Sequence, residues 1–238
     1  MKYIYRLILS FTILSLYSCT TIYYIPNTQN IPVIDKKGKT SLTIAGSKEQ
    51  GEILAAYGVG ESIALMSDII VIFPQTRENG DGGSGYLVDL GAGYFKPLNM
   101  NLLFDSYALV GFGKFENHFP STISAFPLTT GTISANLLRL GIQPSLSYYT
   151  EFFSITGSAR FTSLSYLNIK GSLNHGNIDQ IGFLESNRSN FLIEPAITIR
   201  GGIEKVKLQF QYLHSFNVSN PEFPQTKDIY TLGLNFRF

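Results

Sequence analysis

Few residues in this chain carry the functional groups of catalysis or metal binding. The imidazoles are His118, His175 and His214, and Asp81 and Asp179 fall in the same loop-rich regions. A carboxylate within hydrogen-bond reach of an imidazole would make a general acid–base pair. No two of the histidines stand at i, i+2 or i, i+4, the spacings that put two ligands on one metal ion. The run Gly80–Gly85 (GDGGSG) is rich in glycine, but it lacks the GK[ST] ending of a phosphate loop and opens no helix. A mobile loop is expected there. These residues call for no cofactor and no metal, and the chain is expected to be non-enzymatic.

Cys19 is the only cysteine, which excludes an intrachain disulfide and a cysteine-built zinc site. It ends a segment that begins with Lys2 and Arg6 and continues through the ten apolar residues Leu7–Leu16. A run that short cannot cross a bilayer, which takes ~20 helical residues, but it suits the core of a signal peptide. In Leu16-Tyr17-Ser18-Cys19 a Leu stands three residues before the Cys and a small Ser just before it. The arrangement resembles the lipobox of bacterial lipoproteins, with Tyr17 bulkier than usual. The small residue admits cleavage and the thiol takes a diacylglycerol. Residues 1–18 are therefore expected to be a signal peptide and Cys19 a lipidated N-terminus. Each buried CH₂ of the acyl chains would contribute ~0.8 kcal/mol of anchoring.

The 238 residues are 44% hydrophobic and 15% charged, with 18 Lys and Arg against 17 Asp and Glu. No excess positive charge is available for phosphates, which excludes a strongly basic nucleic-acid binder. The apolar content is too high for a disordered tail protein.

The elements that must position these residues are strands. Period-two alternation recurs, and no segment after the signal offers ~18 consecutive apolar residues or a convincing amphipathic helix. At the C-terminus, Asp228–Phe238 puts Tyr230, Leu232, Leu234, Phe236 and Phe238 on one face and Thr231, Gly233, Asn235 and Arg237 on the other. The same pattern marks Lys205–Phe216, Leu192–Arg200, Phe152–Leu167, Thr132–Ser147, Leu102–Gly113, Tyr86–Phe95 and Ile63–Phe73, and more faintly Gly51–Tyr57 and Lys39–Gly46. These ten strands predict an all-β, ten-stranded antiparallel up-and-down barrel over residues 39–238. The connections alternate between short (Gly58–Ser62, Pro97–Asn101, Thr150–Glu151, Gly201–Glu204) and long (Pro74–Gly85, Lys114–Gly131, Ile169–Asn190, Asn217–Lys227), except that the first hairpin, Ser47–Gln50, is short too. Outer-membrane barrels have tight periplasmic turns and long external loops. The third external loop, with Pro120, Phe126 and Pro127, is expected to pack on its own neighbours.

One strand face is almost purely apolar, and the other carries Asp68, Asp89, Asp105, Arg139, Arg160, Glu194, Arg200, Lys207 and Arg237. A soluble barrel would turn the apolar face inward, whereas a membrane barrel turns it to lipid and keeps a polar lumen. A mid-strand Arg on the lipid face costs ~2–4 kcal/mol, so Arg139 and Arg160 favour the membrane facing. Aromatics at strand ends (Tyr148, Tyr149, Phe152, Phe153, Tyr212, Phe216) suit interfacial girdles. The nine inward charges are expected to pair into a network that largely closes the lumen. Glu52 and Glu61, near turns, are expected in solvent. Residues 19–38, which include Pro26 and Pro32, are read as an extended tether. An even strand count leaves that tether and its lipid on the periplasmic side.

The aromatic C-terminal residue after alternating apolar positions looks like the assembly signal of outer-membrane proteins, which implies the barrel-assembly machinery as a partner. Tyr24-Ile25-Pro26-Asn27, Asn30-Ile31-Pro32, Lys37-Gly38, Ala55-Ala56-Tyr57, Arg139 with Gln143-Pro144, Ala159-Arg160 and Glu194-Pro195 resemble a family of small lipobox-bearing outer-membrane barrels from Bacteroidota-type bacteria. The resemblance implies an architecture and a Gram-negative outer-membrane location, with membrane lipid as a partner, rather than an activity. The expected role is structural, or surface recognition through the external loops, whose partner the sequence does not identify. Three other readings fit the same residues. One is a lipid-anchored soluble periplasmic barrel holding a hydrophobic ligand. The second is a narrow pore. The third is a rim protease of the omptin type, using Asp and His at the mouth.

Overall fold

The computed structural model describes residues 22–76, 81–119, 129–176 and 178–238. The signal segment, Cys19, Gly80, Pro120, Phe126 and Pro127 lie outside the described residues.

Ten long strands close into one antiparallel barrel: β1 (Thr40–Gly46), β2 (Gln50–Gly58), β3 (Ile63–Thr76), β4 (Gly82–Pro97), β5 (Leu102–Phe119), β6 (Gly131–Tyr149), β7 (Phe153–Gly171), β10 (Ser189–Gly202), β11 (Val206–His214) and β13 (Asp228–Arg237). Neighbours in sequence are neighbours in space. β1 pairs with β13, Ser41 facing Arg237 and Gly46 facing Leu232, and that pairing closes the cylinder. Between β7 and β10 lie a two-residue hairpin, β8 (Asn174–His175) with β9 (Ile178–Asp179), and the helix α1 (Gln180–Ser186). The short β12 (Phe216–Asn217) pairs with Leu192 and Ile193 of β10.

The barrel is apolar outside and polar within. Ile44, Leu65, Val71, Leu90, Phe112, Leu140, Ile142, Ile197, Leu208 and Leu232 face outward. The C-terminal face, Tyr230, Leu232, Leu234, Phe236 and Phe238, lies on the same outer surface. Tyr148, Phe152, Phe153 and Phe216 are exposed on the outside, while Tyr149 turns into the mouth beneath Arg237, whose guanidinium lies 5.9 Å from its ring centroid. A soluble barrel would strand this much apolar surface in water. At ~25 cal/mol per Å² of apolar area, a lipid surround is the environment that stabilises it.

The strands run further than their periodicity indicates. Asp81–Gly85, read as a mobile loop, is instead a buried Asp81 followed by the start of β4, with Gly82 facing His118 and Gly85 facing Phe115. β5 continues to Phe119 and β7 to Gly171. On β5 the alternation inverts beyond Gly113, with Phe115 and Phe119 inward and Lys114, Glu116 and His118 outward, and on β7 Asn168, at φ +53°, breaks the period. The helix α1 was not expected. It has seven residues, too few for a helical period to register, and Asp179 caps it by accepting from the backbone N–H of Ile181 and Gly182.

A charge in the lipid belt tests the facing. Leu140 stands at the middle of β6 and is 51% exposed. Leu140→Arg should cost about 2–4 kcal/mol, read as a lower urea midpoint of the folded, heat-modifiable form in lipid vesicles, while Leu140→Phe should leave it nearly unchanged.

Candidate functional site

The nine charges expected on the inner face are found there: eight are buried, and Arg237 is half-buried at one mouth. Glu52, expected in solvent, is also buried in the lumen, because β2 alternates with Gln50, Glu52, Leu54 and Ala56 inward. Glu61 is exposed.

What fills the space between these side chains is the chain's own N-terminal segment. Residues 22–35 are not a tether trailing outside the barrel. They run extended through its interior, and Asn27–Ile34 are all buried. Eight-stranded barrels are filled by their side chains, and 16-stranded ones leave a channel. A ten-stranded barrel lies between, and here one extended chain occupies the difference. Pro26 and Pro32 suit this path, since a chain that joins no ladder needs no regular N–H donors.

The middle of the lumen is ionic. Asp89 on β4 and Arg139 on β6 form a salt bridge, with Arg139 Nε 3.2 Å from Asp89 Oδ1. The other arm of Arg139, Nη1, donates to Tyr24 Oη at 3.0 Å and to Asn27 Oδ1 at 2.8 Å. Arg160 on β7 donates from Nε to Glu194 Oε2 on β10 at 2.6 Å and from Nη2 to the Asn27 carbonyl at 3.2 Å. Glu194 Oε1 accepts from Tyr24 O–H at 3.0 Å and Ser215 O–H at 3.1 Å. Asn27 and Tyr24 thus tie two ion pairs into one network. Gly111 leaves room for it, since a Cβ there would overlap the Asp89 carboxylate.

Next along the segment, the Thr28 N–H points at the Glu52 carboxylate, at 3.0 and 3.2 Å from its oxygens. Gln29 and Gln211 bond reciprocally, the Gln29 N–H donating at 2.7 Å and the Gln211 amide returning to the Gln29 carbonyl at 3.0 Å. Asn30 donates to Asp68 Oδ1 at 2.6 Å, and Gln143 donates to the Asn30 carbonyl at 2.8 Å. The motifs on which the family resemblance rests therefore meet: Tyr24, Asn27 and Asn30 of the segment touch Arg139, Gln143, Arg160, Glu194 and the Ala55 carbonyl. Asp105, Arg200 and Lys207 stand apart from it, bonded to Ser145, Gln209 and the Thr150 carbonyl respectively.

Each end of the lumen is sealed by apolar packing. At one end Tyr23 packs on Phe115, Phe183 and Phe223, and its O–H donates to Gln180 of α1 at 2.6 Å. At the other, Ile31, Val33 and Ile34 sit among Met66, Phe95, Leu103 and Tyr107. Neither seal was legible in the alternation, which had no reason to place large apolar residues inside.

The histidines do not converge. His118 lies on the outward side of β5, His175 packs on Phe119, and His214 meets Asp228 at 2.7 Å on the outer surface, where Tyr212 O–H also donates to Asp228. Asp179 is engaged as the cap of α1. Among the described residues, no group of three or more His, Cys, Asp or Glu is placed to hold a metal ion.

No protein-family model matches the chain, and no curated protein matches it. Solved structures of outer-membrane proteins are similar in overall build. They include the outer membrane protease OmpT from Escherichia coli (11% identity, 85% of this chain and 94% of that one, TM-score 0.48), a major outer membrane protein from Thermus thermophilus (12%, 84% and 98%, 0.41), and the COG4313 outer membrane channel from Pseudomonas putida F1 (12%, 89% and 98%, 0.42). Likenesses of this degree carry no activity across.

Two substitutions test the network. Asp89→Ala leaves the Arg139 charge buried and should cost about 3–5 kcal/mol, much of it recovered by adding Arg139→Met. Asn27→Ala should lower barrel stability by about 1–3 kcal/mol, although Asn27 belongs to no strand. A tether lying outside the barrel would show no such effect, and urea titration of the folded band reads both variants.

Proposed function

We propose that this chain is an outer-membrane β-barrel lipoprotein of a Gram-negative bacterium, acylated at Cys19, with a structural or surface-recognition role. The observation that carries the reading is the pairing of an outward apolar belt with a lumen occupied from end to end by residues 22–35. A protein built so does not offer a route for solutes, which leaves its outward loops as the surface on which it acts. Membrane lipid surrounds the belt, and the barrel-assembly machinery reads the face ending in Phe238. Membership of the lipobox-bearing barrels of Bacteroidota-type bacteria fits the same picture, because the residues that support it are those that hold the segment in place.

The other readings have less support. A soluble ligand-binding barrel needs the Leu, Ile and Phe face inside, and that face is outside. A narrow pore needs an unobstructed lumen. A rim protease needs Asp and His together at the mouth, and His214 finds Asp228 on the outer surface instead.

The test is the intact protein labelled with a fatty acid and purified in detergent. It should migrate faster on a denaturing gel before boiling, keep its label, lose the label in Cys19→Ala, and give no stepwise conductance in a planar bilayer. Solubility without detergent would overturn the membrane reading, and a stable open conductance would overturn the closed lumen.

A further inference from the structure

The threaded segment has a direction. It leaves β1 at the mouth where the chain turns tightly: Gly38 N–H donates to the Gly58 carbonyl at 2.8 Å, and Thr40 exchanges backbone bonds with Phe238 at 2.9 and 3.0 Å. The turns 59–62, 98–101 and 203–205 lie at this same end. By the loop-length asymmetry of outer-membrane barrels, this is the periplasmic mouth.

The other end of the segment is held by the long connections. The Ile22 carbonyl accepts from Asn117 Nδ2 at 2.8 Å, near the far end of β5. Tyr23 N–H donates to the Pro224 carbonyl and Thr226 N–H to the Tyr24 carbonyl, both at 2.9 Å, in the connection before β13. Ile22 also lines an apolar recess of about 100 Å³ there, with Ile70, Leu87, Phe115 and Leu137.

Chain length then limits where Cys19 can be. It stands three positions before Ile22, a reach of about 11 Å at most. The periplasmic mouth is a membrane thickness away, and ~30 Å of hydrocarbon lies between the two faces. The chain cannot double back inside, because the segment itself fills the lumen.

From this we infer that the segment carries the N-terminal end of the mature protein through its own barrel to the extracellular mouth. An acyl group on Cys19 then enters the outer leaflet of the membrane, opposite to the periplasmic anchoring expected from an even strand count. This placement of the lipid rests on the proposed acylation, but the threading does not. It also orders assembly. Acyl chains cannot pass a lumen crossed by Arg139 and Arg160, so β13 must pair with β1 around a segment already in place.

The experiment is thiol labelling of whole cells with a membrane-impermeant maleimide. Cys19 is the only cysteine and is blocked once acylated, so Thr21→Cys and Lys37→Cys each carry one free thiol. Lys37 is exposed at the periplasmic mouth. Thr21→Cys should label on intact cells, and Lys37→Cys should label only after the outer membrane is permeabilised. An epitope inserted between Thr20 and Thr21 and probed with antibody on intact cells repeats the test if loops shield the thiol. Labelling of Lys37→Cys on intact cells above that of wild type, whose only thiol is Cys19, or silence of both Thr21→Cys and the epitope until permeabilisation, would overturn the inference. Fatty-acid incorporation in wild type, scored separately, distinguishes the two failures. Acylated protein with a hidden position 21 sinks the surface placement alone, whereas a surface-exposed position 21 without fatty acid upholds the threading and sinks the lipoprotein reading.

Discussion

Two guanidinium groups and two carboxylates lie in the middle of this barrel at 1% exposure or less, and the rest of the structure follows from neutralising them. A buried charge is costly unless it is paired or well hydrogen-bonded. Asp89 and Glu194 supply the counter-charge to Arg139 and Arg160, but two pairs on the walls of a ten-stranded cylinder cannot also satisfy the inward-pointing donors. Asn27 does that with its side-chain oxygen for one arginine and its carbonyl for the other. The network therefore needs the N-terminal segment, and the segment needs the network, because its backbone groups have no ladder of their own. Glu52, Gln211 and Gln143 take the place of a neighbouring strand.

Around this ionic middle the lumen is layered. Tyr23 and its aromatic neighbours close one end, and Ile31 and Ile34 close the other. Apolar seals keep water from competing for the central hydrogen bonds, which strengthens each of them. The outside of the barrel repeats the logic in reverse, with lipid in place of protein against the Leu and Ile belt. The fold suits a membrane because each face meets what it requires, and the lumen is filled by protein for the same reason.

Much of this was legible in the sequence. Arg139 and Arg160 each sit between apolar neighbours in strict alternation, and with the aromatic strand ends and the loop lengths that indicated which face turns inward. Glu52 was harder to place, since Leu54 and Ala56 share its face and Ile53, Ala55 and Tyr57 line the other, so both faces of β2 are largely apolar. The lumen-filling segment was not legible. Asn27, Thr28, Gln29 and Asn30 are the composition of a solvated linker, and nothing local separates a polar chain bonded to water from one bonded to the inside of a barrel. Pro26 and Pro32 argued correctly against a strand, but that left two possible locations and no local signal to choose between them. The apolar seals were hidden for a related reason: Phe115, Leu137 and Tyr166 face inward where alternation predicts polar residues.

The most direct test of the occupied lumen is hydrogen exchange of residues 23–34 in the detergent-solubilised protein, followed by mass spectrometry. The account predicts that these amides are protected to a degree comparable with the central barrel strands, while those of Lys36 and Lys37 exchange rapidly. Exchange of the whole segment at the rate of an unstructured peptide, with the strands still protected, would contradict it.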